Sequence, residues 1–89
     1  MVVASILEDK DAARILGRLA SAGDALVATR SSNDRALPAA ALVEAGRGSF
    51  RTVAQVDDPA EALDYARGLG RPVLVTGSLY LLADLAGKP

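Results

Sequence analysis

The sequence predicts an α/β domain in which a mostly parallel sheet of about four strands lies between covering helices, as three layers. Short apolar runs of strand length alternate with segments whose apolar residues recur at helical spacing. The resulting order, β-α-β-α-β-α-β-α, is typical of an open parallel sheet with helices on its faces. No repeat or internal boundary interrupts the alternation, so residues 1–89 are expected to form a single domain.

The first half of the chain contains two predicted strands, at residues 2–7 and 25–29, each a short apolar run. A helix between them is indicated by apolar residues at helical spacing and by the glycine that follows them. A polar loop, residues 30–36, leads to Pro38, which is favoured in the first turn of a helix. That second helix is expected to end near Gly46.

The second half contains the two remaining strands and helices. Residues 50–56 are less apolar, which favours a strand near the edge of the sheet. Asp58-Pro59-Ala60-Glu61 combines a capping side chain, a proline at the first helical position and a glutamate three residues after the cap. The continuous apolar run 73–76 predicts a strand buried on both faces, and a last helix is expected from Ser78 onwards.

The amino-acid composition argues against several classes of function. The formal charge is −1, from ten basic and eleven acidic residues spread along the chain, so the basic stripe of a nucleic-acid-binding domain is missing. The sequence contains no histidine and no cysteine, which removes the commonest general base and any disulfide framework. No apolar stretch approaches the ~20 residues of a membrane helix. These features favour a cytoplasmic protein that binds neither nucleic acid nor membrane.

Ligands of open parallel sheets bind beyond the carboxyl ends of the strands, so the turns after the strands are the candidate sites. The first is Glu8-Asp9-Lys10-Asp11. One interpretation is that Asp9 or Asp11 caps the following helix while the other charges are solvated. The other is a magnesium site of the kind found in phosphoryl-accepting receiver domains. Such domains also need a lysine after the last strand, and Thr76-Gly77 supplies none.

The turn after the second strand, residues 29–35, brings two arginines together with hydroxyl and amide side chains. A guanidinium group binds carboxylates and phosphates through a planar pair of donors, so an anionic ligand is one interpretation. A polar surface loop whose arginines pair with Asp34 is the other. The turn at Gly77-Ser78 offers either a simple helix cap or an anion site made by the amides behind the cap. No phosphate-binding loop or dinucleotide fingerprint is present.

Four segments occur in an order and spacing that match a known family. They are Glu8-Asp9-Lys10-Asp11, Thr29-Arg30 with Arg35-Ala36, Asp58-Pro59 with Glu61-Ala62-Leu63, and Thr76-Gly77-Ser78-Leu79-Tyr80-Leu81. This pattern resembles the carboxy-terminal domain of folylpolyglutamate synthases and dihydrofolate synthases, in the Mur ligase group. The last segment is the most specific of the four. The resemblance spans nearly all of the chain and implies a Rossmann-like fold.

The resemblance also implies ATP-dependent amide synthesis. In this family, ATP phosphorylates the γ-carboxyl of a folate glutamate, or the carboxyl of dihydropteroate, and the amine of an incoming glutamate attacks the acyl phosphate. A central domain carries the phosphate loop and magnesium, and the carboxy-terminal domain closes over it. The expected partners of the parent enzyme are therefore glutamate, folate, ATP with Mg²⁺ and the central ATPase domain. No cofactor is expected in this chain itself.

The same resemblance assigns residues to the two sides of a site. Arg35 would pair with a glutamate carboxylate, which suits the planar guanidinium group. No catalytic or metal-ligating residue is assigned. The substrate side comprises Arg30, Ser32, Arg35, Ser78 and Tyr80, and the nucleotide side comprises Asp9, Lys10 and Asp11.

The sequence departs from the family pattern in two places, and the second departure affects the expected fold and activity. Asp34 stands beside Arg35 where the family loop has proline. The family domain opens with a further strand and an Asp-Gly-Ala-His-Asn-Pro type turn, so the chain is expected to lack that strand and to be inactive alone. Either a changed strand order then closes the gap, or the chain dimerises through an exposed sheet edge. The alternative to a ligase fragment is a stand-alone flavodoxin-like module that binds an anion or a partner.

Overall fold

The computed structural model describes residues 1–8, 10–32, 34–70 and 72–76. In this part of the chain all strand pairs are parallel, in the order β3-β2-β1-β4. The predicted α/β class with a four-stranded parallel sheet is confirmed. The elements are β1 (Val2–Ala4), α1 (Ala12–Leu19) extended by a 3-10 turn (Ala20–Ala22), β2 (Ala25–Ala28), α2 (Ala39–Gly46), β3 (Thr52–Gln55), α3 (Pro59–Gly68) and β4 (Leu74–Thr76).

Two apolar clusters, one on each face of the sheet, hold the three layers together. Alternate residues of a strand point to opposite faces, so β1 and β2 contribute to both clusters. The cluster under α1 and α2 includes Val2, Ala4, Ile6, Leu16, Leu26 and Leu42. The cluster under α3 includes Val3, Val27, Ala62 and Ala66. The predicted arrangement of helices on both sides of the sheet is therefore present.

The strands at the two edges are only partly covered. β3 is shorter than the run 50–56 but lies at an edge of the sheet, as its composition predicted. The prediction that 73–76 is buried on both faces was wrong, because Leu74 is 42% exposed and Val73 and Val75 are only partly buried. Among the described residues β4 pairs with β1 alone, and a strand with one neighbour is less completely covered.

β1 ends earlier than the apolar run 2–7 predicts. Ser5 is fully buried just beyond the strand, and its Oγ accepts a hydrogen bond from the backbone N–H of Ser31 at 2.9 Å. Leu7 then forms an isolated antiparallel bridge with Ala36. The end of the run therefore binds the loop after β2 instead of extending the parallel sheet.

The described sheet is continuous. β1 pairs with β2 on one side and with β4 on the other, so these residues leave no gap for a further strand. Dimerisation through a sheet edge stays a prediction. In the part of the chain that the structure describes, no helix has the length and apolar character needed to cross a membrane.

Candidate binding site at the carboxyl edge of the sheet

The parallel strands place three of the four predicted turns along one edge of the sheet. β1 leads to the acidic turn before α1, β2 leads to a loop of residues 30–37, and β3 leads to Asp57-Asp58 before α3. The strand order reverses at β1, because β2 and β3 extend the sheet on one side and β4 on the other. In doubly wound sheets a crevice for ligands opens at the carboxyl edge where the order reverses. We call the carboxyl ends of β1 and β4 the switch point.

The acidic turn at the switch point is organised as a helix cap. Asp11 Oδ1 accepts a hydrogen bond from the Arg14 N–H at 3.2 Å and forms the N-cap of α1. The Lys10 N–H donates to the Leu7 carbonyl at 3.1 Å, and the side chains of Lys10 and Asp11 are exposed. The capping interpretation is confirmed for Asp11. Asp9 lies outside the described residues, and the nucleotide role of all three residues stays a prediction.

The described residues contain no cluster of several possible metal ligands. No group of three or more acidic, histidine or cysteine side chains within them lies close enough together to hold a metal ion. One carboxylate oxygen of Asp11 is already engaged in capping α1.

The loop of residues 30–37 folds back from the end of β2 over the end of β1. The Glu8 N–H donates to the Arg35 carbonyl at 2.7 Å, and the Leu37 N–H donates to the Ile6 carbonyl at 2.9 Å. These bonds place the backbone of Arg35 beside the acidic turn, and the Arg35 side chain is exposed. Two of the turns predicted to border one site are thus brought together.

The third predicted border of that site is the segment after β4. Thr76 is in register with Ala4, so β4 ends beside the end of β1. Ser78 and Tyr80 lie outside the described residues. Their assignment to the substrate side stays a prediction.

A separate cleft of about 770 Å³ lies at the carboxyl ends of β2 and β3. Its walls are formed by the start of the loop, Arg30–Ser32, by the start of α2, and by the segment from Gln55 to the first turn of α3. We call it the α2–α3 cleft. Arg30 and Ser32 line it, whereas Arg35 is not among the described residues of its wall. The substrate-side residues predicted on one loop therefore face two different parts of the sheet edge.

Hydrogen bonds to Asp57 hold the two sides of this cleft together. Thr29 Oγ1 and the Arg30 N–H both donate to the Asp57 carbonyl, at 3.0 and 3.3 Å. Gln55 Nε2 donates to Asp57 Oδ1 at 3.1 Å. Asp58 Oδ2 accepts the N–H of Glu61 at 3.0 Å, so the predicted cap of α3 is confirmed.

Ser31 is a cleft residue that sequence reasoning did not single out. It is 5% exposed, and its Oγ has no hydrogen-bond partner among the described residues. Its neighbours in the sequence are polar and exposed, so no periodicity marks it as buried. The burial of Ser31 is visible only in the fold, where its N–H donates a hydrogen bond to the buried Ser5 Oγ.

Comparison with solved structures supports the family resemblance. The chain is similar to a Mycobacterium tuberculosis folylpolyglutamate synthase complexed with ADP and AMPPCP, with a TM-score of 0.83 and 30% identity over 99% of this chain and 23% of that chain. A structure of the M. tuberculosis enzyme complexed with ADP gives a TM-score of 0.82 and 28% identity over the same shares. No protein-family model and no curated protein matches the sequence. The chain spans about a quarter of the length of these enzymes. The resemblance read from the four motifs is therefore confirmed, and the chain has the fold of one segment of folylpolyglutamate synthase.

Proposed function

We propose that this chain is the counterpart of the carboxy-terminal domain of a folylpolyglutamate or dihydrofolate synthase, and that it contributes glutamate and nucleotide contacts to an ATP-dependent ligase. The observation that supports the proposal is the similarity of 99% of the chain to a segment of the M. tuberculosis enzyme. That enzyme was solved with ADP and AMPPCP. A nucleotide partner for the complete protein is consistent with those complexes.

The proposed reaction joins glutamate to a folate carboxyl group. ATP transfers its γ-phosphoryl group to that carboxylate, and the glutamate amine then attacks the acyl carbon. The new C–N bond forms, the C–O bond to phosphate breaks, and the amine loses a proton. In this chain Arg35 binds a carboxylate of the incoming glutamate, and its position beside the acidic turn supports that role because the turn borders the switch point.

The chain alone is proposed to be inactive. Its sequence has no phosphate-binding loop, and the transfer from ATP depends on a central ATPase domain with magnesium. That domain is the proposed partner, in the cytoplasm. Contacts from Lys10 and Asp11 to the nucleotide, and from Ser78 and Tyr80 to the substrate, belong to the same proposal.

A chimaera tests this function. The matching segment of the M. tuberculosis enzyme is replaced by this chain, and folate-dependent incorporation of glutamate is measured with ATP. We expect activity from the chimaera and none from the chain alone. Activity of the isolated chain would contradict the proposal, as would a folded chimaera that binds ATP but never incorporates glutamate.

Arg35→Ala in the chimaera tests the residue that binds glutamate. A hydrogen bond to a charged group contributes about 1.5–3 kcal/mol, so the KM for glutamate should rise by about tenfold or more. The KM for ATP should change little. Arg47→Ala is the matched control, because Arg47 is an exposed arginine whose Nε bonds Glu44 at the far end of α2. An unchanged glutamate KM in Arg35→Ala would reject the role of Arg35.

A further inference from the structure

The loop of residues 30–37 is joined to the end of β1 by an isolated antiparallel bridge between Leu7 and Ala36. Beside this bridge, the Glu8 N–H donates a hydrogen bond of 2.7 Å to the Arg35 carbonyl. The acceptor therefore belongs to the residue whose side chain is proposed to bind glutamate. Glu8 itself is assigned by the family resemblance to neither side of the site, so its amide is a contact that the proposed function does not yet use.

The position of the Arg35 backbone depends on hydrogen bonds because the apolar core does not hold it. Arg35 and Glu8 are both exposed. Exposed segments with few apolar contacts open locally unless their backbone is bonded. A guanidinium group binds a carboxylate through two parallel N–H donors, which requires a narrow geometry. A displacement of about 1 Å is enough to impair a binding group of this kind. The bond from Glu8 is thus placed where it can set the geometry of the Arg35 side chain.

This one bond can be removed while the rest of the bridge is kept. On the other side of the bridge, the Leu37 N–H donates to the Ile6 carbonyl at 2.9 Å, so the loop stays attached. The Lys10 N–H donates to the Leu7 carbonyl at 3.1 Å and closes a turn in which Glu8 is the second residue. Proline is favoured at that position of a turn, and it restricts the preceding residue to the extended backbone that a bridge requires.

We propose that Glu8 is a positioning residue for the amino-acid substrate of the ligase and that it acts on Arg35 through its backbone N–H. This role rests on the proposed function, in which Arg35 binds a carboxylate of the incoming glutamate. The Glu8 carboxylate has no part in it. Because Glu8 belongs to the acidic turn, the same bond joins the proposed nucleotide side of the site to the proposed substrate side.

The first test compares Glu8→Pro with Glu8→Ala in the chimaera. Both variants lose the carboxylate, but only the proline loses the N–H, so the alanine is the matched control. In Glu8→Pro the KM for glutamate should rise about three- to tenfold, as expected for the loss of one hydrogen bond. In Glu8→Ala it should stay within about twofold of the parent value.

The other kinetic parameters separate positioning from general damage to the fold. The KM for ATP and the kcat should stay within about twofold of the parent in Glu8→Pro, because the acidic turn keeps its bond from Lys10 to Leu7. Parallel losses in all three parameters would overturn the positioning role. An equal rise of the glutamate KM in Glu8→Ala would overturn it as well, since that variant retains the N–H.

A double-mutant cycle tests whether Glu8 acts through Arg35. In an Arg35→Ala background, Glu8→Pro should change the glutamate KM by less than about twofold, because the group that it positions is gone. Independent, multiplying effects overturn the role. An unchanged KM in Arg35→Ala alone rejects glutamate binding by Arg35, and the role of Glu8 with it. A raised KM in Arg35→Ala together with an unchanged KM in Glu8→Pro rejects the role of Glu8 only.

Hydrogen exchange tests the same bond without the proline variant. In the chimaera with AMPPCP and folate bound, glutamate should slow exchange of the Glu8 amide by about threefold or more, because a held Arg35 opens less often. Mass spectrometry of overlapping peptides resolves this amide. The Lys10 amide, bonded within the acidic turn, is the control and should exchange at an unchanged rate. No slowing at Glu8, or equal slowing in Arg35→Ala, overturns the proposal.

Discussion

Replacing Gly46 with alanine tests how closely α2 packs on the sheet. Gly46 is the buried last residue of α2, and a Cβ atom there would lie 2.7 Å from Leu26 Cδ2, with Leu16 Cδ1 at 3.5 Å. Leu26 is 1% exposed, so its methyl group cannot turn into solvent. The missing side chain at Gly46 is therefore what permits this approach of helix to strand.

Two opposing contributions determine how far Gly46→Ala changes the free energy of unfolding. Alanine is favoured over glycine within a helix by about 0.5–1 kcal/mol. Overpacking a close-packed core costs about 1–3 kcal/mol, and a contact as short as 2.7 Å must be relieved by moving Leu26 or α2. We expect a net loss of about 1–2 kcal/mol in the free energy of unfolding, which lowers the Tm by about 4–8 °C per kcal/mol in a domain of this size.

Gly17→Ala is the matched control. Gly17 lies inside α1 and is exposed, and a Cβ atom there would meet only Ser49 Oγ at 3.7 Å, an ordinary contact. The same substitution should therefore stabilise the domain by about 0.5–1 kcal/mol. Urea unfolding followed by far-UV circular dichroism gives both free energies. A Gly46→Ala variant at least as stable as the parent would refute the close packing of α2 on Leu26.

Two further predictions use the same unfolding measurement. Ser5→Ala removes the acceptor of the buried Ser31 N–H and should lower the free energy of unfolding by about 1–3 kcal/mol. Ser31→Ala should leave the free energy of unfolding unchanged or raise it. If Ser31→Ala were the more destabilising of the two, the observed direction of this hydrogen bond would be contradicted. Asp58→Ala removes the cap of α3 and should cost about 1 kcal/mol; no loss would show that the bond to Glu61 contributes nothing.

Features fixed by local chemistry could be predicted from the sequence. The start of α3 is an example, because Asp58, Pro59 and Glu61 each act within one turn of the helix and need no distant partner. The reduced apolar content of β3 also matched its place at the sheet edge. The parallel sheet was predicted because strand-like apolar runs alternate with segments of helical apolar spacing. This alternation is also visible in the sequence alone.

Features fixed by strand order could not be predicted. The apolar run of β4 resembles a central strand, yet Leu74 is 42% exposed because β4 pairs with β1 alone among the described residues. The buried state of Ser31 likewise depends on Ser5, which is 26 residues away in the chain. Periodicity reports which side chains are apolar, whereas burial also depends on which elements lie across the sheet.

The loop of residues 30–37 carries the last prediction, because its two arginines are close in sequence but held at different strands. Its start is bonded to the Asp57 carbonyl beyond β3, and its end is bonded to Glu8 and Ile6 beyond β1. In the chimaera, Arg35→Ala should raise the KM for glutamate by about tenfold, whereas Arg30→Ala should leave it within about twofold, since the α2–α3 cleft is separate from the switch point. Equal increases in both variants would show that one ligand site uses both arginines, and the separation of the cleft from the glutamate site would then be wrong.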